Sequence, residues 1–100
     1  MSGPDLDPVI HPASRLRIIT ALASLPPGHA MAFTALRAQL GMTVGNLSTH
    51  LTRLEAARYV EVAKTFEGKR PATRVTLTPV GWNALERYLT HLNELLGGIG

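Results

Sequence analysis

The sequence predicts one mainly α domain (α+β) spanning residues 1–100. The chain is 45% hydrophobic and 17% charged, which suits a single folded core at this length. Apolar residues recur at helical spacing in four segments and alternate in a single hairpin. There is no Cys, which excludes disulfides and thiolate metal sites and agrees with a cytoplasmic protein.

Residues 1–10 are expected to form a flexible N-terminal arm. Met1–Pro8 contains two Pro and two Asp and is neither basic nor apolar, so it does not resemble a signal peptide. Val9 and Ile10 are the residues of this arm that can pack on the core. No apolar run approaches the ~20 residues that span a bilayer, so we expect no membrane partner.

The segment Ala13–Leu25 is predicted to be the first helix. Pro12 suits its first turn, and Pro26 and Pro27 end it. Its inward residues, which lie on one face at helical spacing, are Leu16, Ile19, Leu22 and Ala23.

A short strand and a short helix follow. Ala30–Phe33 can pair as an edge strand, and Thr34 is the predicted N-cap of a helix over Ala35–Leu40. Gly41 stands where a left-handed residue ends a helix, and Thr43 can cap the next one. Two helices joined by a tight Gly-containing turn form a helix-turn-helix.

The rest of the chain is organised around the predicted helix Thr43–Ala57. Its inward stripe is predicted to contain Val44, Leu47, Leu51, Leu54 and the stem of Arg58. Its opposite face is small, polar and almost free of acid, whereas a solvated helix face ordinarily carries more Glu and Lys. Such a face suits entry into a DNA major groove. It consists of Gly45, Asn46, Thr49, Thr52, Arg53 and Ala56.

Two alternating segments after this helix predict a β-hairpin. The strands are Tyr59–Phe66 and Thr73–Leu77, joined by a polar turn over Glu67–Ala72. Val60, Val62 and Phe66 share one face of the first strand. Six of the ten basic residues lie between Arg53 and Arg74, so the positive charge concentrates on this helix and hairpin.

The last helix is predicted from Pro79 to Leu96, with Thr78 as its cap. The order of elements is that of a winged helix-turn-helix with a two-stranded β-hairpin wing and a long C-terminal dimerisation helix at 79–96. The heptad seam of this helix contains Trp82, Leu85, Leu89, Leu92 and Leu96.

The chain from Arg15 to Leu95 resembles MarR/ArsR-type winged-helix transcriptional regulators, in a short single-domain branch. Matching segments are Gly41–Leu51, Leu54–Val60 and Leu77–Gly81, in the family's order and spacing. Arg58 departs from the pattern, because the family most often has Gly there. The resemblance implies a homodimer held by its terminal helices on a pseudo-palindromic DNA operator, and in some members release by a small molecule or a metal.

Candidate DNA contacts follow from residue chemistry. Asn46, Thr49 and Arg53 are assigned to base edges, since Asn suits adenine and Arg suits guanine. Thr43 and Ser48 lie near the positive helix N-terminus and are assigned to phosphates. His50 is included, although the sequence leaves open whether it meets DNA or packs. The hairpin candidates are Lys64, Lys69, Arg70 and Arg74.

The predicted function is a sequence-specific regulator of transcription that binds double-stranded DNA as a dimer, acting as a repressor. The alternatives are a winged-helix protein-interaction module and a ligand-responsive sensor using the dimer crevice. The predicted dimer residues are Leu16, Ile19, Leu89, Leu92, Leu95 and Leu96.

No cofactor, metal or enzymatic activity is expected. No Ser-His-acid order, phosphate loop or pair of inward carboxylates occurs. The four His residues lack ligand spacing, and a grouping of Asp5, Asp7 and His11 with His91 across a dimer is not favoured. The operator, the regulated genes, the sign of regulation and any effector do not follow from the sequence.

Overall fold

The computed structural model describes residues 6–97 as four helices and a three-stranded antiparallel sheet. This arrangement confirms the predicted winged helix. Among the helices of residues 6–97, none combines the length and the apolar character that a membrane span requires. In chain order the elements are α1 (Ala13–Ala23), β1 (Ala30–Ala32), α2 (Phe33–Leu40), α3 (Val44–Ala56), β2 (Val60–Glu67), β3 (Arg70–Leu77) and α4 (Pro79–Leu95).

The sheet order is β1-β3-β2, so the wing hairpin shares its second strand with β1. In the hairpin, Val60 pairs with Leu77 at one end and Glu67 pairs with Arg70 at the other, so Gly68 and Lys69 form a two-residue turn. The predicted turn over 67–72 was therefore too long. Pro71 lies within β3, where β1 no longer runs alongside, and an open strand edge tolerates a residue without an N–H.

Side-chain caps define the starts of α3 and α4. The Thr43 hydroxyl accepts from the Asn46 amide at 3.1 Å, and the Thr78 hydroxyl accepts from the Gly81 amide at 3.0 Å. Both predicted caps are confirmed. The predicted Thr34 cap is wrong, because β1 runs directly into α2 and Ala32 is the N-cap.

The core lies between the helices and one face of the sheet. α3 contributes only its three leucines to it. Val44 is 59% exposed and Arg58 is exposed, so neither continues the inward stripe. Phe66 is 68% exposed, because the hairpin extends beyond the core. The described chain measures 54 × 25 × 24 Å along its principal axes.

Residues 6–10 of the predicted arm lie against the core, on which Val9 and Ile10 were expected to pack; residues 1–5 of that arm lie outside the described range. Ile10 is fully buried, and the Arg15 guanidinium donates to the Val9 carbonyl at 2.6 Å. The Tyr59 hydroxyl donates to the Asp7 carboxylate at 2.5 Å. Burial and this bond to Asp7 raise the pKa of Tyr59, which keeps the hydroxyl protonated as the donor.

Candidate nucleic-acid interface

α3 is fixed to the core along one side and is open along the other. Leu47, Leu51 and Leu54 are buried at helical spacing, which turns the opposite face outward. The first turn contains no acidic residue, so the positive end of the helix dipole is not neutralised within the helix. The predicted DNA contacts of this helix that are exposed to solvent are Thr43, Asn46, Ser48, Thr49 and Arg53.

His50 faces α1 and is half-buried. Its Nδ1 lies 3.4 Å from Nη1 of Arg15. The Nε and Nη2 atoms of the same guanidinium donate to the carbonyls of Val9 and Pro8. Burial, together with the positive charges of Arg15 and Arg53, lowers the pKa of His50 below its ordinary value. The lowered pKa favours the neutral form of the ring at the boundary between two helices. This placement favours packing over the predicted contact with DNA.

The wing presents three of its four predicted cations to solvent. Lys69 lies in the turn, Arg70 begins β3, and Lys64 lies on the hairpin face that turns toward α3. Lys64 pairs in register with Thr73, and both line the space between the hairpin and α3.

Arg74 does not belong to this set. It lies on the opposite hairpin face, forms an ion pair with Glu67 at 3.3 Å and donates to the Ala30 carbonyl at 3.4 Å. It is the basic member of an internal contact that joins the wing to β1. The contact of Arg74 with DNA stays a prediction, and the structure adds that its guanidinium is already engaged by Glu67 and Ala30, which the sequence does not show.

A groove of about 470 Å³ separates α3 from the wing. The Glu55 carboxylate accepts from the Val62 amide at 3.3 Å and links the two walls. Thr52 and Thr73 also line the groove and were absent from the predicted contacts, although Thr52 stands four residues after Ser48 on the same helix. The lining residues are Phe33, Val44, Ser48, Leu51, Thr52, Glu55, Val62, Lys64 and Thr73.

The exit from α3 fixes where the wing begins. Arg58 has a φ of 65°, which is the left-handed conformation that favours glycine. Its amide donates to the Glu55 carbonyl and the Tyr59 amide to the Leu54 carbonyl, each at 2.9 Å, which is a Schellman motif. The Thr78 hydroxyl donates to the Arg58 carbonyl at 2.6 Å. The ends of α3, β2 and α4 therefore meet at one point.

Within residues 6–97, no group of three or more His, Asp or Glu lies close enough to hold a metal ion. Asp5, one member of the grouping considered from the sequence, lies outside that range. The chemistry available on the α3 and wing surface is hydrogen bonding and positive charge, which suits binding of a polyanion. A helix-turn-helix with an exposed second helix beside a basic hairpin defines the class of winged-helix DNA-binding proteins.

The family model described as "Winged helix DNA-binding domain" matches residues 14–96, and the chain belongs to this family. No curated protein sequence matches the chain significantly. The predicted resemblance to MarR/ArsR-type regulators is confirmed at the level of the family model and of the solved structures that the chain resembles.

Three solved structures illustrate the similarity. A transcriptional regulator homologue from Pyrococcus horikoshii OT3 is 28% identical, with a TM-score of 0.80 over 90% of this chain and 86% of that one. NadR in complex with 4-hydroxyphenylacetate is 25% identical, with a TM-score of 0.67 over 91% of this chain and 64% of that one.

The third is ZitR, a zinc-responsive MarR family member from Lactococcus lactis, which is 14% identical and shares the fold. Its TM-score is 0.61 over 97% of this chain and 60% of that one. The family is one of DNA-binding domains, and the Pyrococcus horikoshii neighbour is a transcriptional regulator homologue, which supports a DNA-binding regulator.

Proposed function

We propose that the protein is a cytoplasmic, homodimeric repressor of transcription that binds a pseudo-palindromic site in double-stranded DNA. The observation that carries this proposal is the open, acid-poor face of α3 beside the basic wing. Asn46, Thr49 and Arg53 would meet base edges in the major groove. Thr43 and Ser48 would meet phosphates near the helix N-terminus.

The groove between α3 and the wing suits one strand of the DNA backbone. Ser48 and Thr52 offer hydroxyls on one wall, and Lys64 offers an ammonium on the other. Glu55 is the acidic residue of the lining, and its carboxylate is engaged by the Val62 amide. Lys69 and Arg70 extend the positive charge to the tip of the wing, so much of the affinity should be electrostatic and fall as salt rises.

The exposed end of α4 supports the dimer. Leu89, Leu95 and Leu96 are 51%, 53% and 56% exposed, which is more apolar surface than one helix end ordinarily leaves to water. Leu16 and Leu92 are half-buried and could extend such an interface. Ile19 is excluded from it, because that side chain is fully buried in the core of a single chain. Two-fold symmetry would place two α3 helices about 34 Å apart, on successive major grooves.

Selection of bound sites from random double-stranded DNA tests the proposal. We expect a two-fold symmetric site with half-sites about 10 base pairs apart. Enrichment of a single, unsymmetric half-site would retain DNA binding and reject the dimer. An absence of any enrichment at low salt, where electrostatic binding is strongest, would reject the DNA-binding function and favour a protein-interaction module.

A small-molecule effector is a second candidate, supported by the NadR structure with its bound aromatic carboxylate. In this chain a shallow groove of about 310 Å³ between α1 and α2 includes Arg17, whose guanidinium donates to the Leu40 carbonyl at 2.8 Å. A thermal-shift series with aromatic carboxylates tests it. Stabilisation that Arg17→Gln abolishes would support an anion site there, and an unchanged melting temperature would reject it.

A further inference from the structure

The tip of the wing carries an apolar pair that the contacts assigned above do not explain. Phe66 is the most exposed large hydrophobic residue within the described chain, at 68%. It stands opposite Pro71 in the hairpin register, and Pro71 is also exposed. An aromatic ring on a two-stranded extension has no core to join, so it presents its apolar surface to a partner or to water.

The ring lies on the side of the hairpin that meets DNA in the proposed complex. Strand alternation places Phe66 on the same face as Val62 and Lys64, and both of these line the groove beside α3. Phe66 is four positions beyond Val62 along the strand, so the ring lies about 13 Å beyond the bond that links the wing to Glu55. A DNA strand bound in the groove would therefore exit from the groove beside the Phe66 ring.

The charges around the ring favour a polyanion as its partner. Lys64 precedes it on the same face, and Lys69 follows it in the turn, whereas Arg70 pairs in register with Glu67 on the opposite face. Glu67 lies on the opposite face, where Arg74 pairs with it at 3.3 Å. The ring is thus bordered by cations, an arrangement that suits nucleic acid better than a second apolar protein surface.

The turn at the tip is short, and the strand after it is restricted. Gly68, with a φ of 63°, closes a two-residue turn, and Pro71 restricts the adjacent strand. Arg74 joins the stem of the hairpin to the Ala30 carbonyl. A ring on a freely moving loop would lose conformational entropy on insertion, whereas this hairpin has little left to lose.

We propose that Phe66, backed by Pro71, is an apolar wedge that enters the minor groove flanking the site read by α3 and bends the DNA there. Apolar side chains that partly unstack a base step bend the duplex in this way. Flexible pyrimidine–purine steps such as TA open most easily, so the wedge would make the protein select DNA at positions its polar side chains do not touch. This inference rests on the proposed DNA-binding function.

The test uses 30-base-pair duplexes that carry the site selected from random DNA, with either a TA step or an A-tract in each flank. Bending is measured by energy transfer between dyes on the two ends, and affinity by titration. We expect wild type to bend the TA duplex and to prefer it. Phe66→Ala should lose the bend and weaken binding to the TA duplex about tenfold, with little change on the A-tract.

Three controls keep the test specific. Phe66→Leu retains an apolar wedge and should keep most of the bend, whereas Thr65→Ala alters the opposite face of the same strand and should change nothing. Thermal melts should be alike for all variants, because both positions are exposed. An unbent wild-type complex, or a Phe66→Ala variant that bends and binds like wild type, would overturn the wedge while leaving DNA binding intact.

Loss of self-association in Phe66→Ala without DNA would also overturn the wedge, by assigning the ring to a second copy of the chain. Failure of the proposed function looks different from all of these outcomes. In that case selection enriches no site, and wild type binds neither duplex even at low salt.

Discussion

Arg58 holds a left-handed backbone conformation that favours glycine, at the point where α3 ends. Since this conformation costs a non-glycine residue of order 1 kcal/mol or more, Arg58→Gly should raise the free energy of unfolding by about 1 kcal/mol. Urea denaturation measures the change. Ala56→Gly, in the last turn of the same helix, is the control and should lower stability by up to about 1 kcal/mol. Equal destabilisation by both variants would contradict the strain argument.

Arg53 and Lys69 should respond differently to removal, because one is assigned to bases and the other to phosphates. Arg53→Ala should cost about 1–3 kcal/mol on the preferred site and relax base choice at one position. Lys69→Ala should weaken binding to all DNA sequences alike. It should also reduce the magnitude of the slope of log K against log salt concentration by about 1. Gel-shift titrations on matched and mismatched duplexes at several salt concentrations measure both effects. If both variants lower the affinity for matched and mismatched duplexes by the same factor, α3 does not read the DNA sequence.

His50 should make stability depend on pH. Its pKa is lowered in the folded state, so the unfolded chain binds more protons when the pH falls toward and below 6.5. The contribution of neutral His50 is present above that value and is lost on acidification. We expect a smaller loss of stability between pH 7 and pH 5 in His50→Gln than in wild type, by chemical denaturation. His29→Gln, in the exposed loop before β1, serves as the control.

The junction of α3, β2 and α4 depends on Gly81. A Cβ added there would overlap the carbonyl oxygen of Tyr59, which belongs to the backbone and cannot rotate away. Gly81→Ala should therefore lower the free energy of unfolding by about 1–3 kcal/mol. Gly45→Ala is the matched control. Apart from its chain neighbours and the adjacent backbone of its own helix, a Cβ added there meets nothing within 4 Å, and the helix should gain about 0.5–1 kcal/mol. A neutral Gly81→Ala would show that the junction can move.

Much of the fold was predictable because the starts and ends of its elements can be recognised from short stretches of sequence. The caps Thr43 and Thr78 and the turn at Gly41 combine residue types with a hydrophobic period, so local rules suffice. The failures have tertiary causes. Thr34 has the chemistry of a cap, but pairing of β1 with β3 carries the strand up to Ala32 and starts α2 earlier.

The candidate site was predictable to the extent that α3 is an isolated amphipathic helix. Its polar residues are exposed where the period placed them. Phe66 follows the alternation but extends past the core, and Arg74 finds Glu67 on the far side of the hairpin. His50 meets Arg15 from a helix 35 residues earlier in the chain. Such partners depend on packing between elements, which composition and spacing do not encode.

If the protein binds DNA as a dimer, a monomeric variant should still bind a half-site but should lose the additional affinity for the full palindrome. Leu89→Glu combined with Leu96→Glu should yield a monomer, because each change places a charge in the exposed apolar end of α4. Affinity for the full palindrome should fall toward that for a half-site, measured by titration of both duplexes. Val80→Glu, at the other end of α4 and 46% exposed, is the control. A double variant that still binds the palindrome fully would reject this interface.

The 54 Å length of the described chain, against widths of 25 and 24 Å, bears on how the oligomeric state of the double variant is measured. An elongated particle experiences more friction than a sphere of equal mass, so a single chain elutes early from a sizing column. A monomeric variant could then be mistaken for the intact dimer. Molar mass should be taken from light scattering or sedimentation equilibrium, neither of which depends on a particle's outline.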